Sequence, residues 1–149
     1  MKKILLLGGS AQQLGAIRSA KELGYYTVVM DYLPDNPGQY EADKFYGEST
    51  TDVEAVYRIA KEEKVDGILA YASDPAALPA ATVAERLGLP TNPAKSVEIL
   101  GLKYPWREFL QTNGFACPKH HSFHPETPIS EIKEKAKEFT FPLVVKPTD

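Results

Sequence analysis

The stretch KKILLLGGSAQQLG, Lys2–Gly15, decides the fold. Ile4–Leu7 is a short unbroken apolar run, the pattern of a strand covered on both faces. Gly8-Gly9-Ser10 breaks it, and Leu14, Ile17, Ala20 and Leu23 then recur at helical spacing up to Gly24, a suitable residue just past a helix end. A strand that turns through glycines into a helix is the opening of an α/β unit. The basic start and apolar run superficially resemble a signal peptide, but four residues ended by two glycines are too few for a signal core or a membrane span.

Outward from that stretch the two patterns keep alternating. Tyr26–Met30 reads as a second strand with Asp31 at its carboxyl end. The turn-rich segment that follows contains a minor strand at Phe45 and Tyr46. Asp52 is placed to cap a helix whose apolar face is Val53, Val56, Ile59 and Ala60. Gly67–Tyr71 is the next strand, followed by Ser73-Asp74-Pro75. Small residues predict a tightly packed helix from Pro75 to Leu87, stopped by Gly88 and Pro90. A short helix begins at Asn92-Pro93, and Tyr104–Asn113 is amphipathic through Trp106, Phe109 and Leu110, with Trp106 expected in the core. A strand over Lys119–Phe123, a helix over Ser130–Phe139 and a terminal strand at Leu143–Val145 complete the reading. No repeat or low-complexity segment interrupts it. The expected fold is α/β, a parallel Rossmann-like sheet with helices on both faces.

Composition narrows the function classes. The 149 residues carry 17 Lys and Arg against 20 Asp and Glu, which argues against a nucleic-acid footprint. The single Cys117 excludes an internal disulfide framework, fits a reducing cytoplasm, and has no activating partner nearby in sequence. His120, His121 and His124 lack a companion Cys or carboxylate at metal-ligand spacing and read as solvent-facing residues of an edge strand, so no metal site is assigned.

Ligands of parallel sheets bind beyond the carboxyl ends of the strands. Three such ends carry chemistry here: Gly9-Ser10, Asp31 and Asp74, which are the candidate substrate-binding residues. The backbone N–H groups of the glycine turn can point at an anion, and Asp31 follows at the distance dinucleotide folds use for a ribose hydroxyl. The glycines do not form G-x-G-x-x-G, so the turn is open to three readings: a tight turn without ligand, a dinucleotide site, or a site for a small anionic substrate. Lys146 stands at the end of an apolar run, where a lysine is costly unless it meets an anion or reaches solvent.

The string LGLPTNPAKSVEILGLKYPWREFLQTNGFACPKHHSF, followed by FPLVVKPTD, resembles the ATP-grasp superfamily of carboxylate-activating ligases, among them the carbamoyl-phosphate synthase large chain and biotin carboxylase. The carrying residues are Lys103 at a helix start, Arg107 one turn on, Leu110, Gly114, Pro118 and the run Phe141–Pro147. GGSAQQLG is similar to the family's GGGQLG turn with two residues inserted, and DYLPDNPGQYEAD to the segment after its second strand. Leu102 stands where the family usually has Asp or Asn.

The resemblance implies that Lys103 and Lys146 contact ATP and that the full-length protein is an ATP-dependent carboxylate–amine ligase acting through an acyl phosphate. It implies residues 1–114 as the N-terminal α/β domain and residues 115–149 as the first half of a nucleotide-binding subdomain. The phosphate-covering loop, the Mg²⁺ ligands and the transition-state arginine of the family would lie downstream, so no catalytic residue is assigned and this stretch alone is expected to be inactive. The expected partners are ATP, a small carboxylate or amine, and a second copy of the chain, with neither nucleic acid nor membrane. A Rossmann-type oxidoreductase and a non-catalytic binding module are the competing classes.

Overall fold

Strand β1 (Lys3–Leu7) lies inside the sheet, and its Leu5, Leu6 and Leu7 are buried, from both sides. The computed structural model describes residues 1–147. β1 pairs in parallel with β2 (Tyr26–Met30) on one side and β4 (Gly67–Leu69) on the other, and β3 (Lys44–Tyr46) continues beyond β2. The order is therefore β3-β2-β1-β4, all parallel.

Alternation along the strands supplies two cores. Leu5, Leu7, Val28 and Met30 face one side, where Val56, Ile59 and Ala60 of α3 (Val53–Glu63) and Ala76, Ala80 and Val83 of α4 (Asp74–Leu87) cover them. Leu6 and Val29 face the other side and meet Ile17 of α1 (Leu14–Glu22). Burying such side chains stabilises by roughly 1.5–3 kcal/mol each, which is why the continuous apolar runs are strands covered on both faces. The expectation of a parallel sheet with helices on both faces is met. Asp52 caps α3 as anticipated, its carboxylate accepting from the N–H groups of Glu54 and Ala55 at 3.0 and 3.1 Å.

Several details differ from the sequence reading. The turn-rich segment holds a one-turn helix, α2 (Gly38–Glu41), started by Pro37. β4 stops at Leu69 rather than Tyr71, because Ala72 takes a left-handed φ of 50° that strand pairing does not admit. The packing divides into two units, Met1–Glu98 and Ile99–Asp149. α5 (Ala94–Gly101) precedes α6 (Lys103–Thr112), and α7 (Ile129–Ala136) starts one residue before the expected Ser130 and stops three before Phe139.

No strand forms at Lys119–Phe123 or Leu143–Val145. Leu143–Val145 is apolar, but a strand needs a neighbour for its backbone groups, and none lies alongside either segment among the described residues. Val144 and Val145 are 84 % and 93 % exposed. The last two residues of the Lys-Pro-Thr-Asp turn, Thr148 and Asp149, lie outside the described residues. Trp106 is half-buried and stacked on Phe109 at 5.8 Å, not in a core. Among the described residues none after Ala84 is buried.

Candidate functional site

The chain runs from β1 outward to β3 and then crosses back to β4, so the strand order reverses at β1 and the carboxyl ends of β1 and β4 flank the crevice where open α/β sheets take ligands. The glycine turn occupies this position. Gly8, at φ 117°, donates to the Met30 carbonyl at 2.8 Å. The Gly9 N–H donates to Asp31 Oδ2 at 2.8 Å, and the Gly9 carbonyl accepts from the Gly38 N–H at 2.7 Å. Asp31 is buried, and its other oxygen accepts from the Leu33 N–H at 2.9 Å.

The chain's own carboxylate thus fills the anion position of the turn, and the glycines admit the chain's own loop. A Cβ on Gly9 would overlap Asn36 Oδ1, and one on Gly38 would lie 2.6 Å from Gly9 Cα. Asn36 is itself buried, its amide donating to the Leu33 carbonyl at 2.8 Å and accepting from Gln39 N at 3.1 Å. Asp31→Ala would strip a charged acceptor from two backbone N–H groups. The expected loss is about 2 kcal/mol, read as a lower urea midpoint at an unchanged slope.

Gln13 was not singled out from the sequence, yet it joins two of the three strand-end loops. It is the residue before α1, but its side chain does not cap that helix. Its Nε2 donates to the carbonyls of Tyr71 and Ala72 at 3.2 and 3.1 Å, and its Oε1 accepts from the Ser10 hydroxyl. Ser10 and Ser73-Asp74 are thereby brought to the two lips of one crevice. Asp74 is exposed in the first turn of α4, where the helix N-terminus favours a carboxylate.

The strand-end loops and the helix starts that follow them, residues 8–17, 31–43, 47–57 and 70–85, contain no Lys, Arg or His. Glu48 is held by Arg58 at 2.5 Å, and Asp52 is engaged as a cap. Asp31 is consumed by the turn and Asp35 accepts from the Tyr40 hydroxyl at 3.0 Å. Tyr32 and Tyr71 stand exposed on these loops.

In the second unit Lys103 is the first residue of α6, where Leu102 supplies no side-chain cap, and Arg107 lies half-buried one turn on. Lys146 is exposed in the irregular run Phe141–Pro147. The histidines do not share a strand face. His120 packs edge-on to Tyr104 at 6.4 Å, with Cys117 Sγ 4.0 Å from its Nδ1. His121 bonds Glu138 at 3.0 Å, and that bond, aided by Lys135 and Lys119, draws the Glu138 carboxyl down to about 2. Among the described residues no three His, Cys, Asp or Glu side chains gather as a metal would require.

Residues 17–91 match the family model described as ATP-grasp N-terminal domain, just over half of the chain. The chain belongs to that family. It is 35 % identical over 97 % of its length to phosphoribosylamine–glycine ligase of Pyrococcus abyssi, covering 33 % of that protein. It is 27 % identical over 98 % of its length to the carbamoyl phosphate synthase large chain of Vibrio cholerae, covering 15 % of it. The chain therefore spans a third or less of the curated relatives it matches. Among solved structures, the fold is shared with the biotin carboxylase domain of 2-oxoglutarate carboxylase from Hydrogenobacter thermophilus, a dimer crystallised with MgADP, ADP and bicarbonate. There the TM-score is 0.73 at 21 % identity, over 95 % of this chain and 33 % of that one.

Proposed function

We propose that these residues are the substrate-presenting part of an ATP-dependent carboxylate–amine ligase that works through an acyl phosphate. The observation that carries the reading is the 35 % identity to a ligase across 97 % of the chain. In this reading residues 1–114 present the carboxylate or its acceptor from the strand-end rim, with Gly9, Ser10 and Asp74 lining it and Asp31 shaping it. Residues 115–149 open the nucleotide-binding subdomain.

Lys103 and Lys146 place positive charge on the ATP phosphates, where phosphoryl transfer is assisted by neutralising charge rather than by covalent chemistry. ATP supplies the phosphoryl group, and Mg²⁺ would be held by acidic ligands outside these residues. The reading includes a cytoplasmic setting, a second copy of the chain as partner, and no turnover by residues 1–149 alone.

The test is ADP release by the full-length protein with a panel of small carboxylates and amines. Lys146→Ala is expected to raise the KM for ATP about tenfold, the ~1.4 kcal/mol that one charge-assisted phosphate contact supplies. Unchanged ATP affinity in that variant removes Lys146 from the site, and absence of nucleotide hydrolysis with every carboxylate removes the ligase reading.

A further inference from the structure

We propose that Gln13 is a positioning residue that sets the separation of Ser10 and Asp74 across the β1/β4 crevice. This rests on the reading of that rim as the substrate site.

Gln13 is 6 % exposed, an uncommon setting for a glutamine at the start of a surface helix. Every hydrogen-bonding group of its amide that the crevice reaches is engaged. Both amide protons have carbonyl partners, on Tyr71 and Ala72, and the amide oxygen holds the Ser10 hydroxyl. These partners lie 58 and 59 residues downstream and three residues upstream, so one side chain ties the β1–α1 turn to the β4–α4 loop.

The tie is directional. Two consecutive carbonyls face a single amide nitrogen only if the backbone turns between them, and Ala72 provides that turn with φ 50°. An alanine in the left-handed region is disfavoured by sterics between Cβ and its own carbonyl. Without the amide the loop has reason to relax, and Ser73-Asp74 follow directly on the strained residue. Glutamate is not a substitute. It has the reach and can accept from Ser10, but it has no proton for either carbonyl and brings a charge into a crevice without a cation.

Two measurements test the role. Hydrogen exchange on residues 1–149 is expected to show the Ala76 amide, which bonds the Ser73 carbonyl at 3.2 Å, exchanging at least tenfold faster in Gln13→Ala and Gln13→Glu, with β1, β2 and β4 amides unchanged. Ala72→Gly added to Gln13→Ala is expected to recover much of that protection, because glycine holds φ 50° without strain. Unchanged exchange at Ala76, or equal acceleration throughout the sheet, overturns the proposal whatever the reaction proves to be.

The second measurement is ADP release by the full-length protein with glycine and with bicarbonate as the carboxylate. Gln13→Ala is expected to raise the carboxylate KM about tenfold with the ATP KM within twofold, and Asp74→Ala to add little on the Gln13→Ala background. Equal losses on both KM values, or fully additive effects of the two substitutions, overturn the positioning role. Altered exchange at Ala76 with no turnover on either carboxylate leaves Gln13 as a loop brace and overturns its role in positioning these substrates.

Discussion

Gly38→Ala is expected to be the most damaging single-methyl change in the first unit. The added Cβ would stand 2.6 Å from Gly9 Cα and 2.7 Å from the Gly9 carbonyl oxygen, so backbone must yield to backbone. No rotamer relieves this clash. Relief requires the loop carrying Asp31, Asn36 and Gly38 to lift from the glycine turn, stretching the 2.7 Å bond from Gly38 N–H to Gly9 and loosening the Asp31 bond beside it. Overpacking of this kind costs about 1–3 kcal/mol and a lost buried hydrogen bond about 1 kcal/mol more. The expected thermal midpoint is lower by on the order of 10 °C. Gly15→Ala is the matched control, because a Cβ there meets no atom within 4 Å. A midpoint for Gly38→Ala within a degree or two of Gly15→Ala would show that the loop does not press on the turn.

The second large effect lies at the opposite end of the sheet. Glu63, the last residue of α3, is buried and receives Lys3 Nζ at 3.2 Å, the Tyr46 hydroxyl at 2.6 Å and Lys44 Nζ. These three donors, Lys44 first, hold its carboxyl down to about 2 from an ordinary 4.5. A carboxylate with a depressed folded-state pKa stabilises fully above its unfolded value and loses that contribution as pH falls through its folded one. The difference in stability between wild type and Glu63→Gln is therefore expected to be constant above about pH 5 and to shrink between 4.5 and 2. Removing one member of a fully buried ion pair costs about 3–5 kcal/mol; here the two lysines are partly exposed, and about 2–3 kcal/mol is expected at pH 7. Urea unfolding at pH 7, 4 and 2.5 reads the curve. A difference that does not narrow on acidification would mean that Glu63 is not the group being titrated.

The elements that carry strong periodicity were legible. The buried runs at Ile4–Leu7 and Tyr26–Met30, the apolar face of Val53–Ala60, the Asp52 cap and the helix-ending Gly24, Gly88 and Gly114 all follow from local rules, and the three glycines do take positive φ. Leu143–Val145 shows the limit of such rules. A strand's side chains can be read from sequence, but its hydrogen-bonding neighbour cannot.

The site was half legible. The glycine turn and Asp31 were visible because they follow strands directly, and Asp74 because it opens the helix after the β4 loop. That Asp31 serves the turn itself was not visible, since the same spacing suits a ribose hydroxyl or a backbone N–H. Gln13 left a fainter sign: a polar residue between a glycine turn and the first apolar position of a helix, at a point where the chain has to be covered. Its Tyr71 and Ala72 partners lie in the loop beyond β4, and no local pattern points to them.

The sheet's register also orders its assembly. Lys3 pairs with Tyr26, 23 residues away, whereas Ile4 pairs with Gly67, 63 residues away. Loop closure grows as the logarithm of length, so joining β4 to β1 costs about 0.9 kcal/mol more chain entropy than joining β2. With no hairpin to nucleate it, the sheet forms by successive long-range closures, a topology that folds slowly for its size. The crevice bridged by Gln13 lies on the later of these two seams. Its geometry is completed only after the β1–β2 half, with the Asp31 turn, has a surface on which to close.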